Sequence, residues 1–168
     1  MSDYISENRI VKLVSNQGAI FEIERKAIKR AGTIETLIND LGLDEADAED
    51  QSIPLPLVKS VTLKQVVDFC NHHANSPLFT GNEDEFNKMI TDWDKQFLNM
   101  DHTLLYDLML AANYLDIKCL LKAISRNIAE MIKGKSVTEM RDVFNIENDY
   151  TPEEEEQLKR ENAWCEIP

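Results

Sequence analysis

Glycine is scarce in this chain, five in 168 residues, and neither G-x-G-x-x-G nor G-x-x-x-x-G-K-[ST] occurs. Both phosphate-cradling loops need glycines that let the backbone approach the ligand, so nucleotide binding of either kind is not indicated. A G-x-S-x-G elbow and an H-E-x-x-H helix are also missing, which removes two common hydrolase sites. Cysteine is limited to Cys70, Cys119 and Cys165, an odd and dispersed set without a C-x-x-C pair. A disulfide framework or zinc ribbon is therefore not expected, and reduced thiols fit the cytoplasm and nucleus. No run of about 18 apolar residues exists, so no membrane-spanning helix is expected. The opening Met1-Ser2-Asp3-Tyr4 lacks the basic and apolar regions of a signal peptide. Basic residues are the minority, 18 against 31 acidic, for a net charge of −13. That balance argues against nucleic acid and anionic membranes, whose partners need Lys and Arg to displace counterions.

What is present suits one globular domain. At this length roughly 70% of the unfolded surface can be buried, so no metal or disulfide is required to hold a core. Arg9-Ile10-Val11-Lys12-Leu13-Val14 and Ala19-Ile20-Phe21-Glu22-Ile23, joined by Ser15-Asn16-Gln17-Gly18, predict a β-hairpin. Thr33 is placed to cap a helix carrying Ile34, Leu37, Ile38 and Leu41 and ending at Gly42. Residues 44–50, with five acids and no base, read as a solvated loop. Ile53-Pro54-Leu55-Pro56-Leu57-Val58 holds two prolines and allows only an edge or short strand. Ser60 is then expected to cap a helix with Leu63, Val66, Val67 and Cys70 on one face. Between 74 and 91 the periodicity fails around Pro77 and Gly81, which reads as an insertion loop. Leu78, Phe79, Phe86, Met89 and Ile90 make it too apolar to be only a linker.

From Asp101 the chain reads as successive helices. Asp101 caps Leu104, Leu105, Leu108, Ala112 and Leu115. Asp116 restarts a wide stripe of Ile117, Leu120, Leu121, Ile124, Ile128, Met131 and Ile132, which Gly134 stops. Ser136-x-x-Glu139 is a capping box before Met140, Val143 and Phe144, and Thr151-Pro152-x-Glu154 repeats the start signal. Few strands followed by many helices predict an α+β, mostly helical fold.

Chemistry is thinly represented. Cys70-Asn71-His72-His73 is the only cluster of metal-ligand types. Neighbouring helical positions face different sides, so a helix end with Cys70 buried and both histidines solvated is the expected arrangement. His102 beside Asp101 reads as first-turn polarity, and Glu153, Glu154, Glu155 and Glu156 as complements to a helix dipole. Binding signals are stronger. The helix from Pro152 to about Trp164 is polar nearly all round, which gives it little to bury, yet it ends in a large aromatic. Residues 118–141 form a positive island of six bases and two acids. Whether the 117–132 stripe serves core or interface stays open from periodicity alone.

Several segments together resemble the Skp-type adaptors of SCF ubiquitin ligases. They include Leu110-Ala111-Ala112-Asn113-Tyr114-Leu115-Asp116-Ile117-Lys118, Met131-Ile132-Lys133-Gly134-Lys135 and Phe144-Asn145-Ile146-Glu147-Asn148-Asp149-Tyr150-Thr151. Glu161-Asn162-Ala163-Trp164-Cys165-Glu166, Cys70-Asn71-His72-His73 and Trp93-Asp94-x-x-Phe97-Leu98 extend the match. The resemblance implies a POZ (BTB)-like fold with a small N-terminal sheet and a C-terminal helical extension. It divides the chain into a flexible tail at 1–8, a POZ-like core at 9–132 and the extension at 133–168. The likeness within the core is strongest at 9–73 and 93–132, with a loop at 74–92. It implies a non-catalytic adaptor without metal or cofactor, bridging F-box proteins to a cullin N-terminal region that works with a RING protein.

On that resemblance Leu105, Tyr106, Leu120, Leu121, Ile128, Ile132, Phe144, Ile146 and Trp164 bind the F-box. Asn113 and Tyr114 face the cullin. Two other readings stay open: an acidic, chaperone-like binder of basic partners, and a self-associating paralogue that pairs as a homodimer when no F-box is bound. The departures from the family pattern are Cys119, where glycine is usual, and Leu57, where a polar residue is common. The 136–138 segment lacks the usual proline, the tail before Arg9 is long, and the 78–90 loop is unusually apolar. Together they imply a divergent paralogue.

Overall fold

A computed structural model describes residues 9–40, 42 and 52–165. The N-terminal tail, Leu41 and the acidic 44–50 stretch lie outside the described residues. Strand β1 (Ile10–Ser15) and strand β2 (Ile20–Glu24) form the expected antiparallel hairpin, with Leu13 opposite Phe21 and Val11 opposite Ile23. Its turn needs Gly18, whose φ of 80° is a conformation glycine adopts without steric cost. Strand β3 (Ser52–Leu55) joins β1 in parallel, giving the order β2-β1-β3. β3 thus lies at an edge, where Pro54 is tolerated. Alternation sends Leu13, Ile23, Ile53 and Leu55 into the core.

Helix α1 (Arg25–Ile28) follows β2 directly and α2 (Gly32–Asp40) comes next. Thr33 does not cap α2, which begins one residue earlier. The N–H groups of Gly32 and Thr33 instead donate to the carbonyls of Asp116 and Leu115, at 3.3 and 3.2 Å. The Thr33 hydroxyl donates to the Tyr114 carbonyl at 2.8 Å. A distant loop therefore serves as the cap. α3 (Ser60–His72) buries Leu63, Val66, Val67 and Cys70 as expected, against β2 and a later helix. Ser60 is its first residue rather than its cap, with its hydroxyl 2.8 Å from that of Ser15.

The 74–91 segment departs from a plain insertion loop, because it contains helix α4 (Glu83–Met89). The Asn82 side chain caps it by accepting from the Asp84 N–H at 2.8 Å, and Phe86 is wholly buried. α5 (Asp92–Phe97) carries a capping box between Thr91 and Asp94. α6 (His102–Tyr114) packs on α3, α7 (Lys118–Ile132) follows a left-handed Asp116, and α8 (Val137–Phe144) and α9 (Pro152–Glu161) precede a 3-10 turn, Ala163–Cys165. Asp101 caps α6 by accepting from the Thr103 N–H at 2.9 Å. Asp101→Ala should therefore cost about 1 kcal/mol in chemical denaturation, the usual loss of an N-cap.

One further expectation is corrected. His72 is exposed, but His73 is buried and sits 2.7 Å from Asp94. Trp93 explains the difference: it stacks on His72 at 3.7 Å and on Phe97 at 4.8 Å, closing the space over His73. Phe69 completes the aromatic group, 4.6 Å from His73. The chain as a whole is α+β and mostly helical. It falls into two compact units, with the boundary between Met131 and Ile132. Among the described residues no helix is long and apolar enough to cross a membrane.

Candidate protein-interaction surfaces

The first unit contains most of α7, whose sides are used differently. With 100° between successive residues, Cys119, Leu120, Ala123 and Ile124 face inward and are buried. One flank grips α4. Lys122 and Arg126 reach Glu83, at 3.8 Å for Arg126, and both lie over the Phe86 ring, 5.0 and 5.5 Å from its centre. The hydrogen bond from Lys122 holds the Glu83 carboxyl below its ordinary range. The other flank carries Leu121 and Ile128, both half-buried. The stripe read from periodicity is therefore partly core and partly surface. Leu120 belongs to the core and offers a partner nothing to touch.

α6 divides in the same manner. Leu105 is buried while Tyr106, its neighbour, is 56% exposed. Leu110 and Asn113 are exposed on Tyr106's side of the helix, at spacings of four and seven residues. Tyr114 is half-buried, and its carbonyl is tied to Thr33. The structure thus separates Leu105 from Tyr106 and groups Tyr106 with Asn113. Leu110 completes that face, and its helical spacing from both residues was the signal that would have identified it. Leu57 and Val61, at the entry to α3, are exposed as well. Lys59 bonds Asp107 of α6 at 2.7 Å, which fixes that entry against the helix.

In the second unit, none of the described residues is fully buried. Local polar chemistry holds it together. Capping boxes at Ser136/Glu139 and Thr151/Glu154 start α8 and α9. Left-handed Asn145 ends α8, its N–H returning to the carbonyls of Arg141 and Asp142. Glu155 joins the two helices by accepting from Arg141 at 3.0 Å and from Asn148 at 2.8 Å, and Arg141 also lies over Tyr150. These hydrogen bonds, led by that from Arg141, keep the Glu155 carboxyl below its usual range. Phe144 and Ile132 are half-buried, and Ile146 and Trp164 are exposed, Trp164 at 79%. Trp164 lies in the 3-10 turn beyond α9, so the final helix is shorter than its polar run suggested.

A metal is poorly served. Among the described residues no group of three or more His, Cys, Asp or Glu side chains is placed to hold one. Burial pushes the Cys70 thiol up to about 12, which disfavours a thiolate ligand.

The Skp1 family dimerisation domain matches residues 118–165, and the Skp1 family tetramerisation domain matches 9–75. A Skp1-related protein of Caenorhabditis elegans is 46% identical over 165 residues, covering 96% of this chain and 94% of that protein. The E3 ubiquitin ligase complex SCF subunit sconC of Talaromyces stipitatus is 43% identical over 159 residues, 93% of this chain and 96% of its own. The Talaromyces marneffei protein of the same name matches to the same extent.

Proposed function

Because this chain belongs to the Skp1 family, we propose that it is a non-catalytic adaptor of an SCF-type ubiquitin ligase. In this role it joins F-box substrate receptors to a cullin in the cytoplasm and nucleus. The observation that carries the reading is the second unit. It has helices fixed by caps and ion pairs, no buried described residue, and Ile146, Tyr150, Leu158 and Trp164 exposed. Apolar groups in such an arrangement gain a core only from a partner. The names of the two fungal relatives, both SCF subunits, support the same role.

The F-box side uses Leu121, Ile128, Ile132, Phe144, Ile146 and Trp164, with Leu105 and Leu120 supporting from the core. Asn113 and Tyr114 contact the cullin, and Tyr106, which shares their helix face, is assigned with them. Calorimetric titration of the full chain tests the division. Trp164→Ala should weaken binding of an F-box peptide by roughly 30-fold, about 2 kcal/mol for a buried aromatic anchor. It should leave affinity for a cullin N-terminal region unchanged. Asn113→Lys combined with Tyr114→Lys should do the reverse. Wild-type protein that binds neither partner at micromolar concentration refutes the adaptor role. Self-association is the second reading, favoured by the exposure of Trp164, and light scattering with and without the peptide distinguishes it.

A further inference from the structure

α6 ends where α2 begins, and each end supplies what the other lacks. A helix leaves its last carbonyls and its first N–H groups without partners inside itself. Just past α6, Asp116 takes a left-handed conformation with a φ of 52°. The Ile117 N–H then returns to the Ala112 carbonyl at 2.8 Å and the Asp116 N–H to the Asn113 carbonyl at 3.2 Å, the pairing of a Schellman motif. The carbonyls of Tyr114, Leu115 and Asp116 remain, and the start of α2 takes all three. The Thr33 hydroxyl donates to Tyr114 at 2.8 Å, the Thr33 N–H to Leu115 at 3.2 Å and the Gly32 N–H to Asp116 at 3.3 Å. The negative end of one helix dipole thus meets the positive end of another. Gly32 puts no side chain in the way: a Cβ there would lie 2.5 Å from the Asp116 Oδ2.

Of these three ties only the one from the Thr33 hydroxyl is made by a side chain, so a substitution can remove it alone. Ile34, Leu115 and Ile117 beside it are wholly buried, which limits how well water can replace the lost donor. What the junction holds in place is the last turn of α6, where Asn113 is exposed and Tyr114 half-buried. Helix ends without such ties fray, and ordering them on association subtracts from affinity.

We propose that Thr33 is a positioning residue for the partner surface at Asn113 and Tyr114, its hydroxyl holding the end of α6 in the conformation that the partner meets. The inference rests on the assignment of Asn113 and Tyr114 to the cullin. It adds a residue some 80 positions away in sequence that acts through the Tyr114 carbonyl and not by contact with the partner.

The test is calorimetric titration of full-chain variants with a cullin N-terminal region and, separately, with an F-box peptide. Thr33→Val keeps the shape and removes the hydroxyl. It should weaken cullin binding roughly three- to tenfold, what one hydrogen bond contributes, and leave F-box affinity unchanged. Thr33→Ser restores the donor and should restore the affinity. Asp101→Ala, which loosens the opposite end of the same helix, is the control for general destabilisation and should leave both affinities as they are. Should Thr33→Val not fold, Thr33→Ala removes the same hydroxyl and is read in the same way. Wild-type cullin affinity in the hydroxyl-free variant, an equal loss in Asp101→Ala, or no recovery in Thr33→Ser overturns the positioning role. The variant combining Asn113→Lys and Tyr114→Lys separates the two levels. If it loses cullin binding while the hydroxyl-free variant does not, only the role of Thr33 falls; if it too binds as wild type, the cullin assignment falls and the role of Thr33 with it.

Discussion

Cutting Phe86 back to alanine will destabilise the first unit by about 3–5 kcal/mol, the range for removing a buried phenyl ring from a packed site. Phe86 is fully buried although it lies in a segment whose sequence reads as an insertion. Its ring meets Phe79 at 5.7 Å and carries Lys122 and Arg126 above it, so the truncation empties the joint between α4 and α7. Single domains are stable by only about 5–15 kcal/mol, so this is a large share of the total. For a chain of this size the melting temperature should fall by roughly 6–20 °C. Leu78→Ala is the control: that residue is 52% exposed in the same segment, and the change should stay within about 0.5 kcal/mol. Equal losses in the two variants would show that α4 is not docked as described.

Asp94→Asn should cost roughly 2–3 kcal/mol at pH 7, combining a mispaired buried group with a damaged helix cap. Asp94 Oδ1 meets His73 Nε2 at 2.7 Å, and Oδ2 accepts from the Thr91 N–H and hydroxyl at 2.8 and 2.9 Å. An asparagine cannot accept on both sides. Burial alone would raise the carboxyl pKa, but the hydrogen bonds from His73 and Thr91 outweigh it and hold the group below its usual 3.8. The folded pKa is thus depressed relative to the unfolded chain. The resulting stabilisation is complete above the unfolded value and is lost as pH falls from about 5 through the folded pKa. Denaturation curves of wild type and Asp94→Asn should be well separated at pH 7 and converge in acid. A gap that is unchanged at pH 3 would mean that the carboxylate charge contributes nothing.

Features governed by neighbours in sequence were legible. The capping boxes at Ser136 and Thr151, the Asp101 cap, the Gly18 turn and the α7 stripe each need only a few adjacent residues, and the fold contains them all. Features set by distant residues were not. Thr33 looked like a cap because its type suits one, but the orphan N–H groups of α2 are met by carbonyls more than 80 positions away. His73 looked solvated because nothing near it signals burial; Trp93 and Asp94 cover it from another helix. α4 was within reach, since Asn82 followed by Glu83, Asp84 and Glu85 is a helix start with acids in the first turn. Pro77 and Gly81 obscured it. For the interaction residues, the resemblance named helix positions without their burial, so buried Leu105 and Leu120 stand beside exposed Tyr106 and half-buried Leu121.

The three-stranded sheet has a consequence for aggregation. An open sheet edge offers unpaired backbone groups to any passing strand, and proteins blunt such edges with proline, charge or brevity. β3 is four residues long, and Pro54 supplies no donor within it, with Pro56 just beyond. On the other side β2 carries Glu22 and Glu24, whose charges repel a second acidic copy. Neither edge invites another strand. A chain that presents apolar helix faces to its surroundings therefore confines its stickiness to surfaces with a defined shape.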